Sequence, residues 1–256
     1  MIAAREHHSL AVVDAHCHID SYADPQAVIE HTEALGIRTI AVTNSPSAFA
    51  RTRELTRASR FVRPAAGLHP EAVHSHGHEL ELLWPLLDET RYVGEVGLDY
   101  VTTDPRDWAQ QRRVFAAIVE RCAAAGNKIL TIHSRRAAAD VIAIVGSGFR
   151  GRASLHWFSG SARELDQAAA AGFFFSVNPD MMVSKSDRAL TARMPCERVL
   201  TETDGPYVSL AGHPAIPADV GAATQSLAEL WGVSASEAGD CIAANLRRLE
   251  GESTSL

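Results

Sequence analysis

Eight short apolar runs recur along the chain, at residues 11–14, 38–42, 65–68, 92–94, 129–132, 153–155, 173–177 and 198–203. Their length fits strands of a buried sheet, and the stretches between them carry helical start and stop signals. Asp24 followed by Pro25 reads as an N-cap with proline in the first turn, and Gly36 closes that helix. Ser45 and Pro46 open the next in the same way. A further helix runs from about Ala162 to Gly172, and Ser234 with Glu237 has the form of a capping box before the last one. Strand and helix thus alternate, which predicts a parallel sheet. Eight such units in 256 residues predict one α/β domain over residues 1–256, a single (β/α)8 TIM barrel. An open, doubly wound sheet would give the same alternation.

Apolar residues make up 46% and charged residues 21%, enough for one substantial core, and no Pro/Gly/Ser-rich linker divides the chain. Residues 1–8 lack the apolar centre of a signal peptide and no run approaches a membrane span, so a cytoplasmic protein is expected. Cys17, Cys122, Cys196 and Cys241 are too scattered for a zinc ribbon and read as reduced thiols. The net charge of −7 argues against a broadly basic nucleic-acid surface, yet the total includes carboxylates that bound cations would neutralise. Positive charge is almost all arginine, since Lys128 and Lys185 are the only lysines. Arg53, Arg57 and Arg60, at helical spacing, read as a solvated face.

What singles this chain out is where its metal-ligating residues fall. His16, His18, Glu95, His133, His156 and Asp204 each stand where an apolar run stops. In a barrel those strand ends share one face. His16 and His18, two apart on a strand, project to the same side and could chelate one cation. Glu95 among glycines and Val96 would be a costly buried charge without a compensating cation or donor. Taken singly, His133 and His156 could be hydrogen-bonded core histidines, and Asp204 before Gly205 and Pro206 could be a turn residue. Their common address points instead to one divalent-metal hydrolase centre.

These residues also lie in motifs. Asp14-Ala15-His16-Cys17-His18-Ile19-Asp20, Gly67-Leu68-His69-Pro70-Glu71, Gly94-Glu95-Val96-Gly97-Leu98-Asp99-Tyr100, Ile132-His133-Ser134-Arg135, His156-Trp157-Phe158-Ser159-Gly160 and Glu202-Thr203-Asp204-Gly205-Pro206-Tyr207 together resemble the TatD family of metal-dependent deoxyribonucleases. They follow that family's order across nearly the whole chain, down to Asn245. The resemblance implies a metal-dependent barrel related to the amidohydrolases, with 3′-to-5′ exonuclease or other phosphodiesterase activity on DNA. It implies one metal on His16, His18, Glu95 and Asp204 and a second on Glu95, His133 and His156, with Glu95 bridging. Two Mg2+, Mn2+ or Zn2+ ions would turn a water into hydroxide, with Asp204 orienting or deprotonating it. His69 and Arg135 would contact the phosphate.

Two segments depart from the family pattern. Residues 208–214 carry no lysine or arginine where the family is usually basic, and residues 178–182 replace common glycine and aromatic positions. In these loops the chain resembles the TatD-like component of the bacterial Qat anti-phage systems, which implies defence-system protein partners besides DNA. His74, His76 and His78 form a separate cluster, read as a flexible solvent loop able to capture nickel or zinc adventitiously. The rival enzyme reading is a barrel hydrolase of an ester, lactone or amide. Its common lysine-bridged form is disfavoured, because Lys128 begins its run and Lys185 lies between runs, which leaves a glutamate-bridged form. A barrel kept only for binding within a complex is the non-enzymatic alternative, against which the complete ligand set argues.

Overall fold

A computed structural model describes residues 12–252; Ala11 of the first run, the N-terminal segment and residues 253–256 lie outside the described residues. Eight parallel strands follow in chain order: β1 (Val13–Cys17), β2 (Arg38–Val42), β3 (Val62–Ala65), β4 (Tyr92–Gly97), β5 (Ile129–His133), β6 (Arg152–His156), β7 (Phe174–Val177) and β8 (Val199–Thr201). Ladder pairing is continuous from β1 to β3 and from β4 to β8. The two arcs meet at two seams. At one, Ala66 bridges Val93, and Gly94 N donates to Ala66 O at 3.0 Å. At the other, Asp204 N donates to His16 O at 2.9 Å, and Thr203 N donates to Asp14 Oδ1 at 2.9 Å. The sheet therefore closes into a (β/α)8 barrel, and the open-sheet alternative falls.

The helices are α1 (Pro25–Leu35), α2 (Pro46–Thr56), α3 (Val73–His76), α4 (Leu80–Glu89), α5 (Pro105–Ala125), α6 (Ala138–Val145), α7 (Ala162–Ala171), α8 (Lys185–Thr191), α9 (Gly221–Trp231) and α10 (Ala235–Glu250). A small hairpin, β9 (Ser209–Leu210) and β10 (His213–Pro214), follows β8. Asp24 caps α1 by accepting from Ala27 N at 3.0 Å, and Gly36 ends it in the left-handed conformation. The capping box of Ser234 and Glu237 forms as expected, and Ser161 with Glu164 builds a second on α7. Ser45 differs from expectation: its hydroxyl meets Ser47 Oγ at 3.0 Å, and Ser47 N is satisfied by Glu79 Oε2 at 2.9 Å.

Two further expectations shift. The third run, 65–68, is mostly the exit of a strand that begins at Val62, which Arg63 and Pro64 disguise in the apolar pattern. His74 and His76 sit on α3 and His78 in a 3-10 turn, so the cluster is helical rather than a flexible loop.

The core fills the barrel and the layer under the helices, with Leu68, Val96, Leu98, Ile132, Leu155, Phe175, Val177 and Leu200 all buried. Strands buried on both faces are what a helix-covered parallel sheet requires. Asn245 of α10 donates to Cys196 O and Val199 O, both at 2.7 Å, and so ties the last helix to the start of β8. Glu250 accepts from Tyr92 Oη at 2.6 Å and Arg38 Nη2 at 2.5 Å on the same side of the barrel. Among the described residues no helix is long and apolar enough to cross a membrane.

Gly67 is fixed by the first seam, where a Cβ would lie 2.4 Å from Glu95 N, Gly94 C and Thr43 O. Backbone cannot yield as a side-chain tip can, so Gly67→Ala is expected to cost about 1–3 kcal/mol in urea unfolding. Gly148→Ala, with open space around it, is the control expected to stay near wild type. Equal stability of the two variants would contradict this packing of the seam.

Candidate metal centre

The predicted ligands lie in the C-terminal half of a strand or just beyond it: His16 in β1 and His18 after it, Glu95 inside β4 with Val96 and Gly97 still to follow, His133 and His156 closing β5 and β6, and Asp204 beyond β8. Two of these strands break register where their ligand sits. Pairing shifts between Asp14 and Cys17 in β1 and between Val93 and Val96 in β4. Such bulges re-aim side chains, and here they bracket His16 and Glu95. Asp204 has φ 50 and Trp157, next to His156, has φ 40, left-handed values that non-glycine residues hold only when their surroundings impose them.

His16 Nε2 lies 3.3 Å from His18 Nε2, 3.5 Å from Glu95 Oε2 and 3.7 Å from Asp204 Oδ1. His18 Nε2 lies 3.3 Å from that Glu95 oxygen and 3.5 Å from the same Asp204 oxygen. A tetrahedron with about 2.1 Å from centre to corner has edges of about 3.4 Å, and the separations of His16, His18 and Glu95 from one another, and of Asp204 from the two imidazoles, lie close to that. The donor set therefore fits a divalent metal.

The other oxygen of Glu95 serves a second group. Oε1 is 2.8 Å from His133 Nδ1, 3.3 Å from His69 Nε2 and 3.9 Å from His156 Nε2. His156 Nε2 is also 3.9 Å from Asp204 Oδ2, and its ring stacks on that of His16 at 3.7 Å. All six predicted ligands thus converge. His69 joins them, close enough to Glu95 and His133 to complete a three-donor group. Arg135 lies further out, exposed at the mouth of the cleft. His74, His76 and His78 form no such group among the described residues.

The imidazoles are held by partners that spacing did not single out. His16 Nδ1 meets Thr131 Oγ1 at 2.8 Å, His133 Nε2 meets Asp99 Oδ2 at 2.7 Å, and His156 Nδ1 meets Glu202 Oε2 at 2.9 Å. Glu202 is fully buried and also accepts from Trp157 N at 3.1 Å, Asn178 Nδ2 at 3.2 Å and Ser176 Oγ. A partner on the second ring nitrogen sets which nitrogen faces the metal. Asp99 and Glu202 stand inside the motifs, four residues after Glu95 and two before Asp204, which is the one sequence signal that marks them.

Charge follows from this packing. Burial alone would lower His18, but the Asp204 and Glu95 carboxylates outweigh it and raise its pKa to about 10. Against the same burial, Asp99 and Glu95 raise His133 to about 10, and Glu202, Asp204 and Glu95 raise His156 to about 9. His16 is held below its ordinary value by burial and by the neighbouring His156. Burial would raise Glu95, yet His69, His16 and His133 hold it well below the usual carboxylate range. In the absence of metal, imidazolium charge is what balances the carboxylates.

Above this cluster opens a cleft of about 560 Å3, lined by ligands and by Asn44, Glu71, Ser134, Arg135, Trp157, Ser159 and Tyr207. The cleft opens to solvent, and the cluster of imidazoles and carboxylates lies among its lining residues.

The chain is similar to known proteins in sequence and in fold. The family model described as TatD related DNase matches residues 13–251. The uncharacterized metal-dependent hydrolase YcfH of Escherichia coli is 27% identical over 257 residues, covering 93% of this chain and 95% of that protein. Human deoxyribonuclease TATDN3 is 25% identical over 252 residues, covering 89% and 90% respectively. Among solved structures, the TatD homologue YJJV of Escherichia coli has a TM-score of 0.84 at 24% identity, covering 94% of this chain and 98% of that one, a likeness of fold.

Metal ligation requires neutral imidazole, so binding must expel protons from His18, His133 and His156. Calorimetry of divalent metal binding in buffers of different ionisation enthalpy, at about pH 7.5, should report release of more than one proton per chain. Apparent affinity should climb with pH through 9–10. These pKa values lie above the ordinary 6.5, so the same pairs stabilise the metal-free fold fully below pH 6.5 and less as pH rises through 9–10. Binding without proton release would refute this charge arrangement.

Proposed function

The chain belongs to the TatD-related DNase family of metal-dependent hydrolases, and on that footing we propose that it cleaves DNA phosphodiesters, working inward from a 3′ end. One observation carries this reading: Glu95 lies between two groups of imidazoles, with Oε2 toward His16 and His18 and Oε1 toward His69, His133 and His156. A carboxylate so placed can be shared by two divalent cations, Mg2+, Mn2+ or Zn2+. His16, His18 and Asp204 would complete one site, and His133 and His156 the other. When bound, such ions supply Lewis acidity toward phosphate oxygens and lower the pKa of water.

The side chains do the rest. Asp204 directs Oδ1 toward His16 and His18 and Oδ2 toward His156, which suits it to take the proton of the attacking water. Asp99 and Glu202 keep His133 and His156 aimed inward. His69, less buried than Glu95, and Arg135 at the mouth would donate to the phosphate. Neither lysine can serve a lysine-bridged carbonyl hydrolase: Lys128 is buried with Nζ on Leu87 O and on Thr90 O at 2.9 Å, and Lys185 is exposed at the start of α8.

A place in anti-phage defence, with protein partners from such a system, belongs to the same proposal. It draws on the two divergent segments, which the fold builds into the β9–β10 hairpin and the turn at Pro179–Met182. In cells carrying a whole system, phage plating should recover when Glu95→Ala replaces the wild type.

The direct test strips metal with a chelator, restores Mg2+, Mn2+ or Zn2+, and follows end-labelled single- and double-stranded DNA beside aryl esters and lactones. Progressive shortening from the 3′ end is expected, with Glu95→Ala and Asp204→Ala each losing at least about 100-fold in rate. Ester or lactone turnover with intact DNA would overturn the proposal in favour of a glutamate-bridged carbonyl hydrolase.

A further inference from the structure

Two of the few large apolar side chains left exposed in this fold border the metal ligands. Trp157 follows His156 and is 36% exposed; Tyr207 lies three residues past Asp204 and is 59% exposed. Both line the cleft. Leaving such rings in water forgoes burial that is worth about 1.5–3 kcal/mol for a large apolar side chain. Their positions are nonetheless enforced.

Trp157 is held at φ 40, a conformation bulky residues rarely adopt, while its backbone N–H donates to the fully buried Glu202. That carboxylate thus fixes both the His156 ring and the backbone that carries the indole. Tyr207 packs edge-on to His18, with ring centroids 4.8 Å apart and planes at 77°. Its hydroxyl accepts from Asn44 Nδ2 at 3.4 Å, and its backbone N–H donates to Asp204 O at 2.9 Å. The imidazoles beside these rings, His156 and His18, approach the same Asp204 carboxylate at 3.9 and 3.5 Å. Both aromatics therefore border the reacting point.

Charge at this rim is sparse. Arg135 is the one arginine or lysine among the residues lining the cleft, and residues 208–214 add none. With arginine and lysine so few at the rim, the exposed rings offer a second source of affinity, toward another part of a nucleotide. Every base has a π-face, and stacking on an exposed aromatic is tolerant of sequence.

We propose that Trp157 and Tyr207 are stacking platforms for the nucleobases flanking the scissile phosphate, which makes this site favour base-bearing over abasic strand ends. The inference rests on the DNA phosphodiester reading above.

Binding is read by fluorescence anisotropy with metal-free protein, so that cleavage does not intervene, using an internally labelled single strand and the same strand with abasic sites at both ends. Trp157→Ala and Tyr207→Ala should each weaken binding of the base-bearing strand by about 5- to 100-fold. Neither should change binding of the abasic-ended strand, and Trp157→Phe and Tyr207→Phe should retain most of the affinity. Equal weakening on both strands, or none on the base-bearing one, overturns the stacking role. With metal restored, wild type should prefer the base-bearing strand in kcat/KM; cleavage of both strands at equal kcat/KM overturns it too. Wild type that hydrolyses neither strand with any divalent metal, while the anisotropy pattern holds, would instead overturn the phosphodiesterase reading.

Discussion

A buried carboxylate that must be neutralised governs this molecule. Glu95 is 2% exposed and sits at a seam where two arcs of sheet approach too closely for any side chain at Gly67. An unpaired charge in that position would be prohibitive. The fold answers by bringing imidazoles to it from β1, β5 and β6 and from the turn after β3. Without metal, His18, His133 and His156 balance it as cations; as neutral ligands they would share it with cations instead. Either way, the requirement to compensate one charge draws the strand ends together.

A ring of partners then keeps that convergence rigid. Thr131, Asp99 and Glu202 each hold one imidazole from behind, so the donors point inward before any ligand arrives. Glu202 bears the most, because it accepts from a ring, a hydroxyl, an amide and a backbone N–H at once. Removing such a buried acceptor would leave several donors unsatisfied, and the effect would reach well past His156.

Much of this was legible in the chain. The six candidate ligands stood out because polar, metal-seeking residues ended apolar runs, and a parallel barrel brings such ends to one face. Asp24, Gly36 and the Ser234–Glu237 box announced helix boundaries through local chemistry that tertiary packing did not override. Other features were hidden for definite reasons. Arg63 and Pro64 masked the third strand, because a strand facing helices on one side only in part need not read as apolar. Ser45 looked like a cap but found Ser47 first. The grouping of His69 with Glu95 and His133 is set by a turn between elements, which spacing along the chain does not encode. Asp99 and Glu202 had motif addresses, but nothing in one dimension distinguishes a carboxylate that holds a metal from one that holds a histidine.

The second seam carries a consequence for biosynthesis. His16 and His18 are synthesised before the six strands β2 to β7, whereas Asp204 and the strand that closes against β1 follow them. Ring closure and ligand completion are therefore the same event, since Asp204 N bonds His16 O while its carboxylate faces the same imidazole. A chain interrupted before β8 retains most of its histidines yet lacks one corner of the cage. Translation products interrupted before β8 are thereby denied Asp204, so barrel closure and assembly of the candidate ligand set cannot be separated.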